Sequence, residues 1–196
     1  MNFLFKSIEL NRNNKTMIPS QKGLVKKFIK EYEIGLRRFL LTARFNINTW
    51  LENIEFRENH EDIKCVYGSP VPLSKHIPSD SVIFMLEMNN DKNRIMGIGM
   101  LRNHPIMNKY FVHECGNYNR YVYTGKNRID RDEMSEEEEK VMQIFDILCF
   151  KGKRHMKRLH GLKSFPADIL YKCKERLDLV NFIANMFKIR LATKNT

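Results

Sequence analysis

The residues with the most capacity for chemistry lie in two short stretches. The first, KGKRHMKRLHGLK at 151–163, carries Lys151, Lys153, Arg154, Lys157, Arg158 and Lys163, two histidines and no acid. Cations without acids suit the neutralisation of phosphates, each contact adding a salt-dependent term to affinity. Gly152 and Gly161 bracket the segment and allow close backbone approach. A plain solvated loop fits the same pattern. The second stretch, YNRYVYTGKNR at 118–128, sets Tyr121 and Tyr123 on one strand face, with Arg120, Lys126 and Arg128 nearby. Aromatics that stack on bases, interleaved with cations that hold the backbone, serve single-stranded nucleic acid. Packing of the two tyrosines against helices is the competing explanation.

Other chemistries fit less well. Cys149, His155, His160 and Cys173 are separated by five, four and twelve residues. Only the histidine gap matches zinc-module spacing, and no cysteine belongs to a CxxC pair. Cys149 falls on an apolar helix face, which suits a core thiol. His113 and Cys115 share a strand face and read as structural or exposed. No GxSxG, HExxH, P-loop or dinucleotide-binding signature occurs. The acids of IDRDEMSEEEE would hold a metal only in a nuclease arrangement, and an acidic first helical turn explains them more simply. His76 and Glu87 would form an acid–base pair only if the fold joined them. No catalytic residue, metal ligand or cofactor is therefore assigned.

Composition points the same way. The 196 residues are 42% hydrophobic, with thirteen Phe and eleven Met, enough for a core with adaptable packing. The net charge of +11 and pI near 9.5 favour an anionic partner, nucleic acid before membrane. MNFLFKSIEL has too short an apolar run for a secretory signal, and no window approaches the roughly 18 apolar residues of a membrane span. Free thiols in a reducing compartment follow, so the expected location is intracellular, in cytoplasm or nucleus. Abundant Asn, Lys and Ile with only four Ala fit an AT-rich coding genome.

Several elements must position these residues. Residues 1–18 read as a mobile lead-in, and 19–196 as one α+β domain. Pro19 suits a first helical turn. Apolar residues from Leu24 to Ala43 then recur at helical spacing, opposite Lys22, Lys26, Lys27, Lys30, Arg37 and Arg38. A second helix is expected from Asn48 to about Glu58, with Trp50, Leu51 and Ile54 inward. From residue 63 the pattern becomes strand-like. IKCVYGS leads into a proline-rich loop, SVIFMLEM and RIMGIGML form a hairpin about NNDKN, and YFVHEC and NRYVYTGKNRI follow. Gly97 and Gly99 share a face and admit a close neighbour. Ser135 and Glu138 make a capping-box pattern opening a helix. Ser164 and Pro166 start another helix, and a last apolar helix spans about 177–191. Helices at 19–60, strands at 63–130 and helices at 135–192 indicate an α+β fold with a mainly antiparallel sheet, closed as a small barrel.

The hairpin DSVIFMLEMNNDKNRIMGIGMLRN resembles the core hairpin of the PUA-like superfamily, which includes the PUA, ASCH, EVE and YTH domains. Asp80, Val82 and Phe84, with Gly97, Ile98 and Gly99, carry that resemblance. The stretches NRYVYTGKNRIDRDEMSEEEE and FDILCFKGKRHMKRLHG are similar to proteins of large DNA viruses, including insect viruses. PUA-like membership implies a barrel whose mouth takes RNA or a modified base. The expectation is a non-enzymatic nucleic-acid-binding protein, with RNA preferred to DNA. Tyr67, Ser69, Gly97, Gly99, Arg102 and Asn103 would line its pocket. Lys151, Lys153, Arg154, Lys157 and Arg158 would grip the backbone. Two alternatives stand beside it. One is a viral module binding a host protein, for example in cell-death control, through its N-terminal amphipathic helix or LVNFIANMFKI. The other is a metal-dependent nuclease.

Overall fold

A computed structural model describes residues 19–107, 109–158 and 160–194. The lead-in expected at 1–18 lies outside these residues. The chain divides after Leu36 into two units. In the first, α1 (Pro19–Gly35) is a basic amphipathic helix whose Leu24, Phe28 and Ile34 are exposed.

The second unit is α+β, as expected, and carries two corrections to the anticipated order. The long first helix stops at Gly35, and Arg38–Phe45 is a strand, β1. Leu40, Leu41, Thr42 and Ala43 are all buried there, so both faces of the strand are covered. A continuous apolar run of that kind matches helical spacing and strand alike, and here the sheet takes it. The anticipated closed barrel is also absent among the described residues. Two sheets form instead. One has five strands in the order β7 (Asn127–Asp130), β4 (Arg94–Arg102), β3 (Val82–Asn89), β1, β8 (Lys163–Ser164). The other has three, β2 (Cys65–Ser69), β6 (Tyr121–Gly125), β5 (Ile106–Met107). The β1/β3 pair is parallel and the remaining pairs are antiparallel.

Local chemistry fixes the helices. α2 (Ile47–Glu58) opens on a capping box in which Asn46 Oδ1 accepts the Thr49 N–H (2.9 Å) and Thr49 Oγ1 accepts the Asn46 N–H (3.0 Å). Trp50 is buried and Ile54 half-buried, whereas Leu51 faces outward against expectation. α3 (Glu136–Phe150) has the Ser135/Glu138 box read from the sequence, and four glutamates in its first turn meet the helix dipole. Ser164 caps nothing; it pairs with Leu41 in β8, and α4 (Ala167–Cys173) starts after Pro166 without a side-chain cap. In α5 (Leu179–Lys194), Leu179, Val180, Ile183, Met186 and Phe187 are buried, with Phe187 stacked on Phe84 at 5.5 Å. The strand expected at 110–115 does not form. Asn119 replaces a strand neighbour there, its Oδ1 accepting the N–H groups of Val112 (2.9 Å) and His113 (3.0 Å).

The two sheets meet across a buried polar cluster. Arg128 donates to both Glu87 carboxylate oxygens (2.8–3.1 Å), and the Tyr67 hydroxyl donates to Glu87 Oε1 (2.7 Å). The two strand glycines make room for this cluster rather than for a ligand, which corrects the anticipated pocket at Gly97 and Gly99, while Tyr67 lines a cleft elsewhere. A Cβ on Gly97 would lie 2.7 Å from Arg128 and 2.8 Å from Glu87, and one on Gly99 would collide with Tyr67 and Cys65. Ser69 is buried, while Asn103 and Arg102 anchor the proline-rich loop through the carbonyls of Ile77 and Asp80.

Arg128→Met should destabilise the protein by about 3–5 kcal/mol in guanidinium unfolding, because it strands a buried carboxylate. Adding Glu87→Gln should recover much of that loss. A second expectation concerns acid. Arg190 hydrogen bonds, opposed by partial burial, hold the Glu138 carboxyl below its ordinary range. The stabilisation it contributes is complete above the unfolded carboxylate value of about 4.3 and is lost as pH falls through the lower folded value. Thermal melts of wild type and Arg190→Met should therefore differ at pH 7 and converge in strong acid.

Candidate nucleic-acid interface

A cleft of about 340 Å³ opens at the carboxyl ends of β1 and β3, where the basic loop folds back over the sheet. Such ends of parallel strands are common ligand positions. Arg44, Lys157, Arg158, His160, His113 and Tyr118 line it, with Asn46 and Thr49 at the start of α2, and no carboxylate among the described residues does.

Arg44 builds this wall. It leaves β1 on the face opposite Leu41, Ala43 and Phe45 and donates to the carbonyls of Met156 (2.6 Å) and Gly161 (2.8 Å) and to Thr42 Oγ1 (2.8 Å). Burial pushes its guanidinium down to about 10, partly offset by the nearby Cys149, so it stays charged at neutral pH. Among the described residues it pairs with no carboxylate. Gly152 and Gly161 adopt φ of +77° and +63°, the left-handed region where glycine is unstrained. Met156 is buried, and its N–H donates to the Cys149 carbonyl (2.7 Å). The basic segment is therefore fastened at three backbone points, two to Arg44 of the sheet and one to helix α3.

Those cations differ in availability. Lys151, Lys153 and Arg158 are exposed without a partner among the described residues. Lys157 is tied to Asn93 Oδ1 (2.8 Å). Arg154 is committed to Asp168 (2.7 and 3.1 Å), the hydrogen bonds that raise its pKa. On the opposite wall His113 Nδ1 lies 2.6 Å from Glu52 Oε2, and the Tyr118 ring stands edge-on at 6.2 Å.

The second anticipated stretch does not join this site. Tyr123 is fully buried and its hydroxyl accepts the Leu73 N–H (3.0 Å), so it cannot stack on a base. Tyr121 is half-buried against the core, and Arg120 is exposed. Arg128 is spent on Glu87. Lys126 and Arg128 border a separate hollow of about 770 Å³ against α5, where Asp130, Asp132 and Glu133 mix the charge. Another, of about 640 Å³, carries Glu52, Glu55 and Glu114. His76 is exposed while Glu87 is buried and paired, so no acid–base couple forms between them. No group of three or more His, Cys, Asp or Glu among the described residues is arranged to hold a metal ion. Burial pushes the Cys149 thiol up to about 12, far from a ready zinc ligand.

Arg44, Asn46, Thr49, Asn90, His113 and Tyr118 are the lining residues that sequence reasoning missed. One signal was available: Asn46-Ile-Asn-Thr49 directly after RFLLTARF marks a helix start, which would have ended the preceding element and exposed it as a strand. Nothing local links residue 44 to 156–162. Comparison of the chain with protein-family models, curated proteins and solved structures gives no match.

Arg44→Ala should release the loop. Trypsin should then cleave within 151–163 several-fold faster than in the wild type, and stability should fall by on the order of 2 kcal/mol as charged hydrogen bonds are lost. An unchanged cleavage rate would show that the loop is held by other means.

Proposed function

We propose that this protein binds nucleic acid, RNA in preference to DNA, and that the cleft beneath the basic loop is where it does so. One observation carries the reading: a concave site walled by Arg44, Lys157, Arg158, His160 and His113 has no acid among the described residues that line it. Lys151 and Lys153 extend the same charge along the loop, where they meet successive phosphates. Tyr118 offers an aromatic edge. The volume lies at the low end of small-ligand sites, roughly 300–1,000 Å³. It suits one nucleotide seated in the cleft with the strand continuing along the loop. The preference for RNA rests on the PUA-like resemblance of the central hairpin.

A second reading, a module that binds a host protein, is favoured by α1, whose Leu24, Phe28 and Ile34 are exposed. The apolar face of α5 gives it little support, since Leu179, Val180, Ile183, Met186 and Phe187 are buried and Ile189 alone among its large apolar residues is exposed. No described helix is long and apolar enough to cross a membrane.

Fluorescence anisotropy with single- and double-stranded RNA and DNA, at about 50 and 200 mM salt, tests the first reading. Micromolar binding is expected, with a log–log salt slope of about −2 to −3 for three to four phosphate contacts on a single strand. Replacing Lys153, Arg154, Lys157 and Arg158 together by Ser should weaken it more than about tenfold without lowering the melting temperature by more than a few degrees. Absence of binding, a flat salt response or an unaffected variant would each overturn the assignment.

A further inference from the structure

We infer that the cleft also cleaves the RNA it holds, by metal-independent transfer of a phosphodiester to the neighbouring 2′-hydroxyl. The inference rests on the RNA-binding reading and adds a reaction to it. Its starting point is the His113–Glu52 pair. Their side chains are 6% and 22% exposed, and Nδ1 lies 2.6 Å from Oε2. A carboxylate at that distance accepts the Nδ1 proton, which fixes the tautomer and leaves the Nε2 lone pair as the reactive position. Nε2 has no partner among the described residues, and the ring stands between the cleft and the neighbouring hollow that Glu52, Glu55 and Glu114 line. A histidine oriented by a carboxylate and open to a cavity is the arrangement of a general base.

The cleft supplies the other requirements. His160, on the loop, lines the same cavity and is exposed without a partner among the described residues. Lys157 and Arg158 bring positive charge, and no lining carboxylate repels a phosphodiester. The step balances without a co-reactant. His113 Nε2 takes the proton of the 2′-hydroxyl as the 2′-oxygen bonds to phosphorus. The bond from phosphorus to the 5′-oxygen of the next nucleotide breaks, and protonated His160 donates to that leaving oxygen. The products are a 2′,3′-cyclic phosphate and a 5′-hydroxyl end. Lys157 and Arg158 face the charge that builds on the non-bridging oxygens. Glu52 acts only through His113, as a positioning residue.

The test uses the full chain with a mixed-sequence RNA oligonucleotide in EDTA, its products read by mass spectrometry, beside anisotropy on the same sequence carrying 2′-O-methyl groups. Cleavage giving 2′,3′-cyclic ends is expected, none on the methylated strand. His160→Ala, on an exposed loop position, should slow cleavage by about 100-fold or more, and His113→Ala similarly. Glu52→Gln should lower kcat about tenfold or more with KM within about twofold, a split that a merely structural role would not give. Methylated RNA that binds while unmodified RNA stays intact overturns the cleavage and leaves the binding reading standing. If neither RNA binds, both fall. Cleavage that survives in both histidine variants belongs to a contaminant and overturns the inference as well.

Discussion

The fold depends on one buried carboxylate. Glu87 sits toward the carboxyl end of β3 with no exposed surface, and a charge there is tolerable only if it is fully met. Arg128 meets it from β7 with three hydrogen bonds, and Tyr67 adds one from the second sheet. Arg128 is itself shared with Asp130 (2.7 Å) and lies over the Trp50 ring at 5.9 Å. Burial, reinforced by the adjacent carboxylate, pushes the Tyr67 hydroxyl well above its ordinary value, so it remains a donor. Strands from both sheets and helix α2 thus converge on one charge. Because a single-residue slip in β3 would turn Glu87 to the other face, the cluster also pins the register.

That register places the cleft. Once Glu87 faces the small sheet, Leu41, Ala43 and Phe45 of the adjoining strand face the same way, joined with Tyr67 and Trp50 in one core. Arg44 must then project to the opposite side, where the chain returns after α3. The basic loop is captured there because its carbonyls at 156 and 161 find a guanidinium with no acid to satisfy it. The site and the core are consequences of the same strand alternation, and a change in one is felt in the other.

How much of this was legible follows from range. The Ser135/Glu138 box, the NNDKN hairpin and the loop character of 151–162 are set by residues within a few positions of one another, and each was readable. β1 was not, since a short apolar run carries no period that separates a buried strand from a helix. Tyr121, Tyr123 and Arg128 had the right composition for a nucleic-acid strand. Their fate was decided by distant partners, Leu73 for Tyr123 and Glu87 for Arg128. Gly97 and Gly99 did mark a close approach, as read, but the approaching groups were the chain's own Arg128 and Tyr67. The cleft was not legible because its walls come from residues near 44, 90, 113 and 158, which the β1/β3 pairing, the Arg44 bonds to the loop and the His113–Glu52 pair bring together only in the fold.

The net charge of +11 takes on a different meaning once the ion pairs are known. A high positive charge spread evenly would argue for nothing in particular. Here many of the acids are absorbed in specific structural pairs: Glu139 and Asp146 on Arg131, Glu138 on Arg190, Asp168 on Arg154, Glu87 on Arg128. Each pair removes a cation from the field as well as an acid. What remains uncompensated is therefore set by where acids are missing, and among the described residues none lines the cleft. Glu52 stands just behind that lining, held by His113 rather than presented to the cavity. The acids bordering the cleft are thus engaged by the chain itself, Glu52 by His113, Asp91 by the Ile47 N–H and Glu87 by Tyr67 and Arg128.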